Sequence, residues 1–158
     1  VRYCHDNKGR LSLATSALNG TTNTFDYAFV TGTALVAGMT NSAGQSWWRA
    51  YEPARNLIAA VSNFWNASSV SSFAYGNDAL GRRTLRLDTA PALSATNVFA
   101  YNQRSEVTNA AMRAATYSYA YDDIGNRETS SANAVVSSYT ARGTTSEIRE
   151  YATRRGII

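Results

Sequence analysis

One unit of sequence recurs along this 158-residue chain, and it restricts the fold more than any bulk property does. Each unit opens with aromatic residues alternating with small ones: Phe73-Ala74-Tyr75, Phe99-Ala100-Tyr101, Tyr117-Ser118-Tyr119-Ala120-Tyr121. A tight polar segment follows: Asp6 to Arg10 ("DNKGR"), Asp78 to Arg82 ("DALGR"), Asp122 to Arg127 ("DDIGNR"). A second apolar or Thr-rich run then returns, as with Leu11 and Leu13, with Leu57, Ile58 and Val61, or with Thr84, Leu85 and Leu87. Taking His5, Phe29, Tyr51, Tyr75, Tyr101 and Tyr121 as equivalent gives steps of 24, 22, 24, 26 and 20 residues. A spacing of about 23 residues lies in the range of repeat architectures.

Period-two alternation with aromatics is the pattern of a strand with one buried face. Strand, tight turn and strand make a β-hairpin. In the turn, Asp6, Asp78 and Asp122 can accept hydrogen bonds from backbone N–H groups a few residues on. Gly9, Gly81 and Gly125, three residues later, can adopt positive φ at little cost, as a turn with a bulge requires. Arg10 and Arg82 follow the glycine and Arg127 lies just beyond it. Such an arginine can pair with the turn Asp or lie over a tyrosine ring. These patterns predict an all-β protein, an antiparallel meander of about six hairpins in a curved, twisted sheet over residues 1–140. Linkers rich in Ser, Thr, Asn, Ala or Gly are expected near 15–23, 41–46, 66–71, 88–97 and 130–134. Residues 141–158 depart from the pattern and read as a tail, with a short helix from Thr145 to Arg154.

Composition agrees with a folded β protein. Hydrophobic residues make up 44% and charged residues 16%, unlike a disordered chain. Lys8 is the single lysine, and Tyr is frequent at ten copies, which favours strands over helices. The net charge of +4 is spread over scattered arginines, so it does not build the basic stripe of a nucleic-acid-binding protein. No stretch is long and apolar enough for a membrane-spanning helix.

Candidate chemistry is sparse. His5 is the one histidine and Cys4 the one cysteine, so neither a Ser-His-Asp arrangement nor a Cys/His metal site can be assembled by spacing. His5 reads as a substitute for the unit's tyrosine. The turn aspartates recur at one position, which suits turn capping better than acid–base pairing or Ca²⁺ ligation. No catalytic, metal or cofactor site is expected. Trp47, Trp48 and Trp65 offer either a packed sheet face or an aromatic face for sugars, and Trp47 and Trp48, as neighbours in a strand, must point to opposite sides.

"YAYDDIGNRET", "NDALGRRT" and "HDNKGRLS" resemble the YD repeats of the Rhs family, over about residues 1 to 140. The residues that carry the resemblance are Tyr3, Asp6, Gly9, Arg10, Tyr51, Arg55, Tyr75, Asp78, Gly81, Arg82, Tyr101, Tyr119, Tyr121, Asp122, Gly125 and Arg127. Departures occur where Tyr51 is followed by Glu52-Pro53 without Gly, where Tyr101 is followed by Asn102, and where the Phe29 unit lacks the acid. The resemblance implies a non-catalytic wall segment of a β-sheet shell or scaffold that encloses or presents a toxin or other effector. It also implies a larger secreted or cell-surface protein, with neighbouring repeats or self-association through open sheet edges as partners. The alternative it allows is an adhesion module that binds carbohydrate or protein. At this length the resemblance implies a segment of a shell wall, a truncated or degenerate gene product, or a small stand-alone relative, and the start at Val1 within a repeat makes the first two the expectation.

Overall fold

The computed structural model describes residues 1–140 and 149–151. All of the secondary structure among them is β. The strands are β1 (Arg2–His5), β2 (Leu11–Leu18), β3 (Thr21–Phe29), β4 (Val36–Asn41), β5 (Gln45–Tyr51), β6 (Ile58–Trp65), β7 (Ser68–Asn77), β8 (Arg83–Ala90), β9 (Leu93–Tyr101), β10 (Val107–Met112), β11 (Ala115–Tyr121), β12 (Arg127–Ala132), β13 (Val135–Thr140) and β14 (Arg149–Tyr151). Their order in the sheet is their order in the chain. The expected antiparallel meander is therefore present, but with more strands than six hairpins supply. β13 pairs with β12, and β14 pairs with β13 through Ser138↔Tyr151 and Thr140↔Arg149. The helix expected over Thr145 to Arg154 is contradicted at Arg149–Tyr151, which is extended and paired; the remainder of that span lies outside the described residues. No helix among the described residues is long and apolar enough to cross a membrane.

The expected linkers are mostly strand. β2 runs to Leu18 and β3 starts at Thr21, so 15–23 contains only a two-residue turn. β7 begins at Ser68 and β9 at Leu93, and β12 continues to Ala132. These Ser-, Thr- and Ala-rich stretches have strand neighbours on both sides, and ladder pairing overrides their weak apolar pattern. Asn19 (φ 49) and Gly20 (φ 78), Asn66 (φ 47) and Ala67 (φ 63), and Asn133 (φ 48) and Ala134 (φ 68) close their hairpins with both central residues left-handed. That geometry matches the right-handed twist of the strands.

The described residues form two compact units, Val1–Gly76 with Leu87–Ser94, and Asn77–Arg86 with those from Ala95 on. In the first, Tyr27 pairs with Met39 and Met39 with Trp47, so these three side chains share one face. Met39, at the centre of that row, is buried. Arg49, Val61 and Phe73 form a parallel row on the same face. On the opposite face, Gly38 pairs with Trp48. An added Cβ at Gly38 would lie 2.4 Å from Trp48 Cε3 and 2.7 Å from the Trp47 carbonyl oxygen, so the indole occupies the space a side chain would take. In the second unit, Phe99, Ala110 and Tyr117 form an equivalent row, with Ala110 only 4% exposed. Along β11, Tyr117, Tyr119 and Tyr121 are half-buried while Thr116, Ser118 and Ala120 are exposed. Few of the described side chains are fully buried in either unit, so cohesion rests on these cross-strand rows and on the turns.

Candidate functional site

The recurring turns lie at one end of successive strand pairs and share one wiring scheme. In the first, Asp6 Oδ1 accepts from the backbone N–H of Lys8 (2.8 Å) and Arg10 (3.0 Å). Asp6 Oδ2 accepts from Arg10 Nε at 2.7 Å. The loop closes with Asp6 N donating to the Arg10 carbonyl and Gly9 N donating to the Asp6 carbonyl. Gly9 at φ 75 turns the chain into that closure. Asp78 repeats the set with Leu80, Gly81 and Arg82, and Asp122 with Ile124, Gly125 and Asn126. In the last turn the residue after glycine is Asn126, not Arg127; Arg127 starts β12 and lies over the Tyr119 ring at 4.6 Å.

Departures in sequence conserve the wiring. Asn102 stands where Asp does, and Glu106 where Arg does. Asn102 Oδ1 accepts from the N–H groups of Arg104 and Glu106, and its Nδ2 donates to Glu106 Oε2, so the direction of the side-chain bond is reversed. Ser105 takes the glycine's place at φ 66. The Phe29 unit closes one residue later, with Val30 N donating to the Leu35 carbonyl, and Thr33 Oγ1 accepts from Leu35 N in place of the acid. The Glu52 turn closes on Leu57 in the same longer register, braced by Arg55 on Glu52 at 2.6 Å. Asn41 caps Ala43 and Gln45 in the same manner at the other end of β4 and β5. In the sequence, only the three-residue spacing of Asn41 to Gly44 and of Asn102 to Ser105 sets these two apart from ordinary loop asparagines.

Neighbouring turns are stitched together in both directions. Arg10, held by Asp6, reaches the Thr33 carbonyl of the next turn and lies over Phe29 at 4.1 Å. Arg82, held by Asp78, donates to the Asn102 carbonyl at 2.9 Å and lies over Tyr101 at 5.0 Å. Arg104 reaches the carbonyls of Asp122 and Asp123. In the reverse direction, the tyrosine hydroxyl just before a turn donates to the first carbonyl of the preceding return strand. Tyr51 donates to Val36 (2.8 Å), Tyr101 to Arg83 (2.7 Å) and Tyr121 to Val107 (2.9 Å). Tyr75 does not hold this position: Asn77 directly precedes Asp78, and Tyr75 lies two residues further back in β7. His5 directly precedes Asp6, and Tyr3 on β1 is 61% exposed.

These bonds set the carboxyl electrostatics. The Arg10 guanidinium and N–H bonded to Asp6 hold its carboxyl down to about 2 from 3.8. For Asp78, desolvation pushes upward, but the bonds from Arg82 outweigh it and the pKa is lowered. Asp122 is lowered chiefly by the Asn126 side-chain amide. A carboxylate so held is a capping group; it is a poor proton carrier near neutral pH.

By register Trp65 lies opposite Gln45 and so shares a face with Trp47, while Trp48 points to the other side. Trp47 stacks under Arg49 at 4.4 Å, Trp48 covers Gly38 on the opposite face, and Trp65 is 52% exposed beside Phe64 and Val70. His5 is exposed and Cys4 half-buried, and no group of three His, Cys, Asp or Glu residues among the described residues is placed to hold a metal ion.

No protein-family model matches the sequence, and no curated protein matches it. Among solved structures, the chain is similar to a porin-like protein from Bacteroides uniformis, at 9% identity and a TM-score of 0.44, over 94% of this chain and 86% of that one.

Proposed function

We propose that this chain is a non-catalytic structural segment of a YD-repeat protein of the Rhs kind, part of a β-sheet shell or scaffold that encloses or presents an effector. One observation carries the reading: the recurring polar and aromatic side chains are engaged in building the sheet edge. The aspartates cap their own turns, while Arg10, Arg82 and Arg104 tie down the next turn and Tyr51, Tyr101 and Tyr121 the previous return strand. A catalytic or ligand-binding role for the same groups would require them to be released. On this reading the chain works as part of a larger secreted or cell-surface protein, beside further repeats. Unpaired strand edges would template pairing with such repeats or with a second copy.

Light scattering after size exclusion, over a range of concentrations, tests this together with far-UV circular dichroism. The expected result is a β-rich chain that associates with rising concentration. A β-rich monomer at all concentrations would refute the wall-segment reading and favour a discrete binding module. The exposed Trp65 beside Phe64 and Val70 is the observation that supports such a module, with carbohydrate as its ligand. Glycan-array binding that disappears on Trp65→Ala would establish it.

A further inference from the structure

Four two-residue turns among the described residues begin in the left-handed region. Three begin with asparagine: Asn19, Asn66 and Asn133, at φ 47 to 49. The fourth begins with Arg113 at φ 55. Asparagine visits this region readily; a long side chain does so against a steric cost. The Arg113 turn thus carries a guanidinium at the position where the other three carry an amide.

Arg113 lines a solvent-open hollow of about 500 Å³, with Arg86, Asn97, Met112, Tyr117 and Asn133 among the other lining residues. That volume is within the range of small-molecule sites. Among the described residues, no acidic side chain lines it. Asn97, 1% exposed, is anchored by its Nδ2 donating to the Arg86 carbonyl at 3.2 Å. Asn133 Oδ1 is occupied by the Thr116 N–H at 2.9 Å, which fixes the side chain and leaves its Nδ2 as a donor. Among the described residues, neither the Arg113 guanidinium nor the Tyr117 hydroxyl has a hydrogen-bonding or ionic partner. This sets Arg113 apart from Arg10, Arg55, Arg82 and Arg104, each held by a carboxylate.

We propose that this hollow binds a small solute carrying an oxyanion, a carboxylate or a phosphate, on a body of about monosaccharide size. A guanidinium matches the paired oxygens of either group. The Asn133 amide and the Tyr117 hydroxyl supply further polar contacts, and Met112 with the Tyr117 ring gives an apolar wall. This site uses none of the side chains that stitch the turns.

Titration of the full chain with glucuronate, glucose 6-phosphate and neutral glucose, followed by amide chemical shifts, tests the proposal. One or both anions should saturate shifts at residues 112–117 and 133 at roughly millimolar concentrations, with glucose at least about tenfold weaker. Response to one anion alone identifies the group recognised. Arg113→Asn, whose side chain the other three turns already accommodate, should weaken binding about tenfold or more, the usual effect of losing a charged hydrogen-bond donor. Tyr117→Phe should weaken it severalfold. The proposal is overturned if neither anion moves those amides, if glucose binds equally well, or if Arg113→Asn binds the anion as tightly as the parent chain.

Discussion

Replacing Tyr51, Tyr101 and Tyr121 by phenylalanine isolates the backward half of the stitch. Each change deletes one oxygen and leaves the ring in place. Phe29 already occupies the equivalent position under Arg10, so the site tolerates a phenylalanine ring. The lost bonds are short, at 2.8, 2.7 and 2.9 Å, and each joins a half-buried tyrosine to a backbone carbonyl. A neutral hydrogen bond of this kind contributes about 0.5–1.5 kcal/mol net. The three substitutions together should therefore cost about 3 kcal/mol, a large share of the roughly 5–15 kcal/mol that separates a domain from unfolding.

Urea unfolding measures this, with two signals. Far-UV circular dichroism reports all strands, whereas Trp47, Trp48 and Trp65 all lie in the Val1–Gly76 segment, so their fluorescence reports the first unit. Tyr51→Phe should lower the midpoint in both signals. Tyr101→Phe and Tyr121→Phe act in the second unit, and a shift seen only by dichroism would mean that the units unfold separately. Tyr51 should add independently to the other two, whereas Tyr101 and Tyr121 flank one shared turn and should couple. Tyr3→Phe, at a tyrosine that is 61% exposed, is the control. If the three changes each cost no more than Tyr3→Phe, the hydroxyl contacts do not hold the repeats together and the reasoning fails.

Gly38→Ala should destabilise by about 1–3 kcal/mol through overpacking, and Trp48→Ala in the same chain should recover only part of it, because the Trp47 carbonyl at 2.7 Å remains; full recovery in urea unfolding would contradict this. Ala67→Gly and Ala134→Gly should each stabilise by about 0.5–1 kcal/mol, since relief of the left-handed strain at φ 63 and φ 68 exceeds the added freedom of the unfolded chain; a lower melting temperature for both would refute it. The Asp6 carboxyl is held below its unfolded value, so its contribution is complete above about 4 and is lost as pH falls through about 2. Asp6→Asn should flatten the fall of the urea midpoint across that window, and an unchanged slope would show that the Arg10 bond is not made in solution.

The fold was legible where aromatic alternation and turn residues coincide. Phe99-Ala100-Tyr101 and the Tyr117 to Tyr121 run mark half-buried strands because every second ring must face one side. The Asp-x-x-Gly turns could be read because aspartate and glycine each have a physical reason to be there. Strands such as Ser68–Asn77 and Arg127–Ala132 were partly hidden, since Ser and Thr on a ladder look like a linker when read one residue at a time. The register of the fourth unit was misplaced by two residues because Tyr75 is the conspicuous residue, while Asn77 holds the place before Asp78. Arginine's reach to a turn about 20 residues away is a property of strand pairing, and no local window contains it.

A sheet with so few fully buried side chains cannot be specified by core packing alone, and the turn edge supplies the missing specification. What recurs there is a pattern of donors and acceptors. Asn102 and Glu106 reverse the side-chain bond that Asp78 and Arg82 make, and still cap the same amides. Thr33 replaces an acid with a hydroxyl in a turn one residue longer. Each unit thus needs a side-chain acceptor for its turn, a residue at the turn that admits the required φ, and groups that reach its neighbours. Several residue combinations meet those needs, so units can drift far apart in identity while their pairing register is kept. Since each stitch joins only adjacent units, stability should grow with the number of units present, as nearest-neighbour cohesion requires.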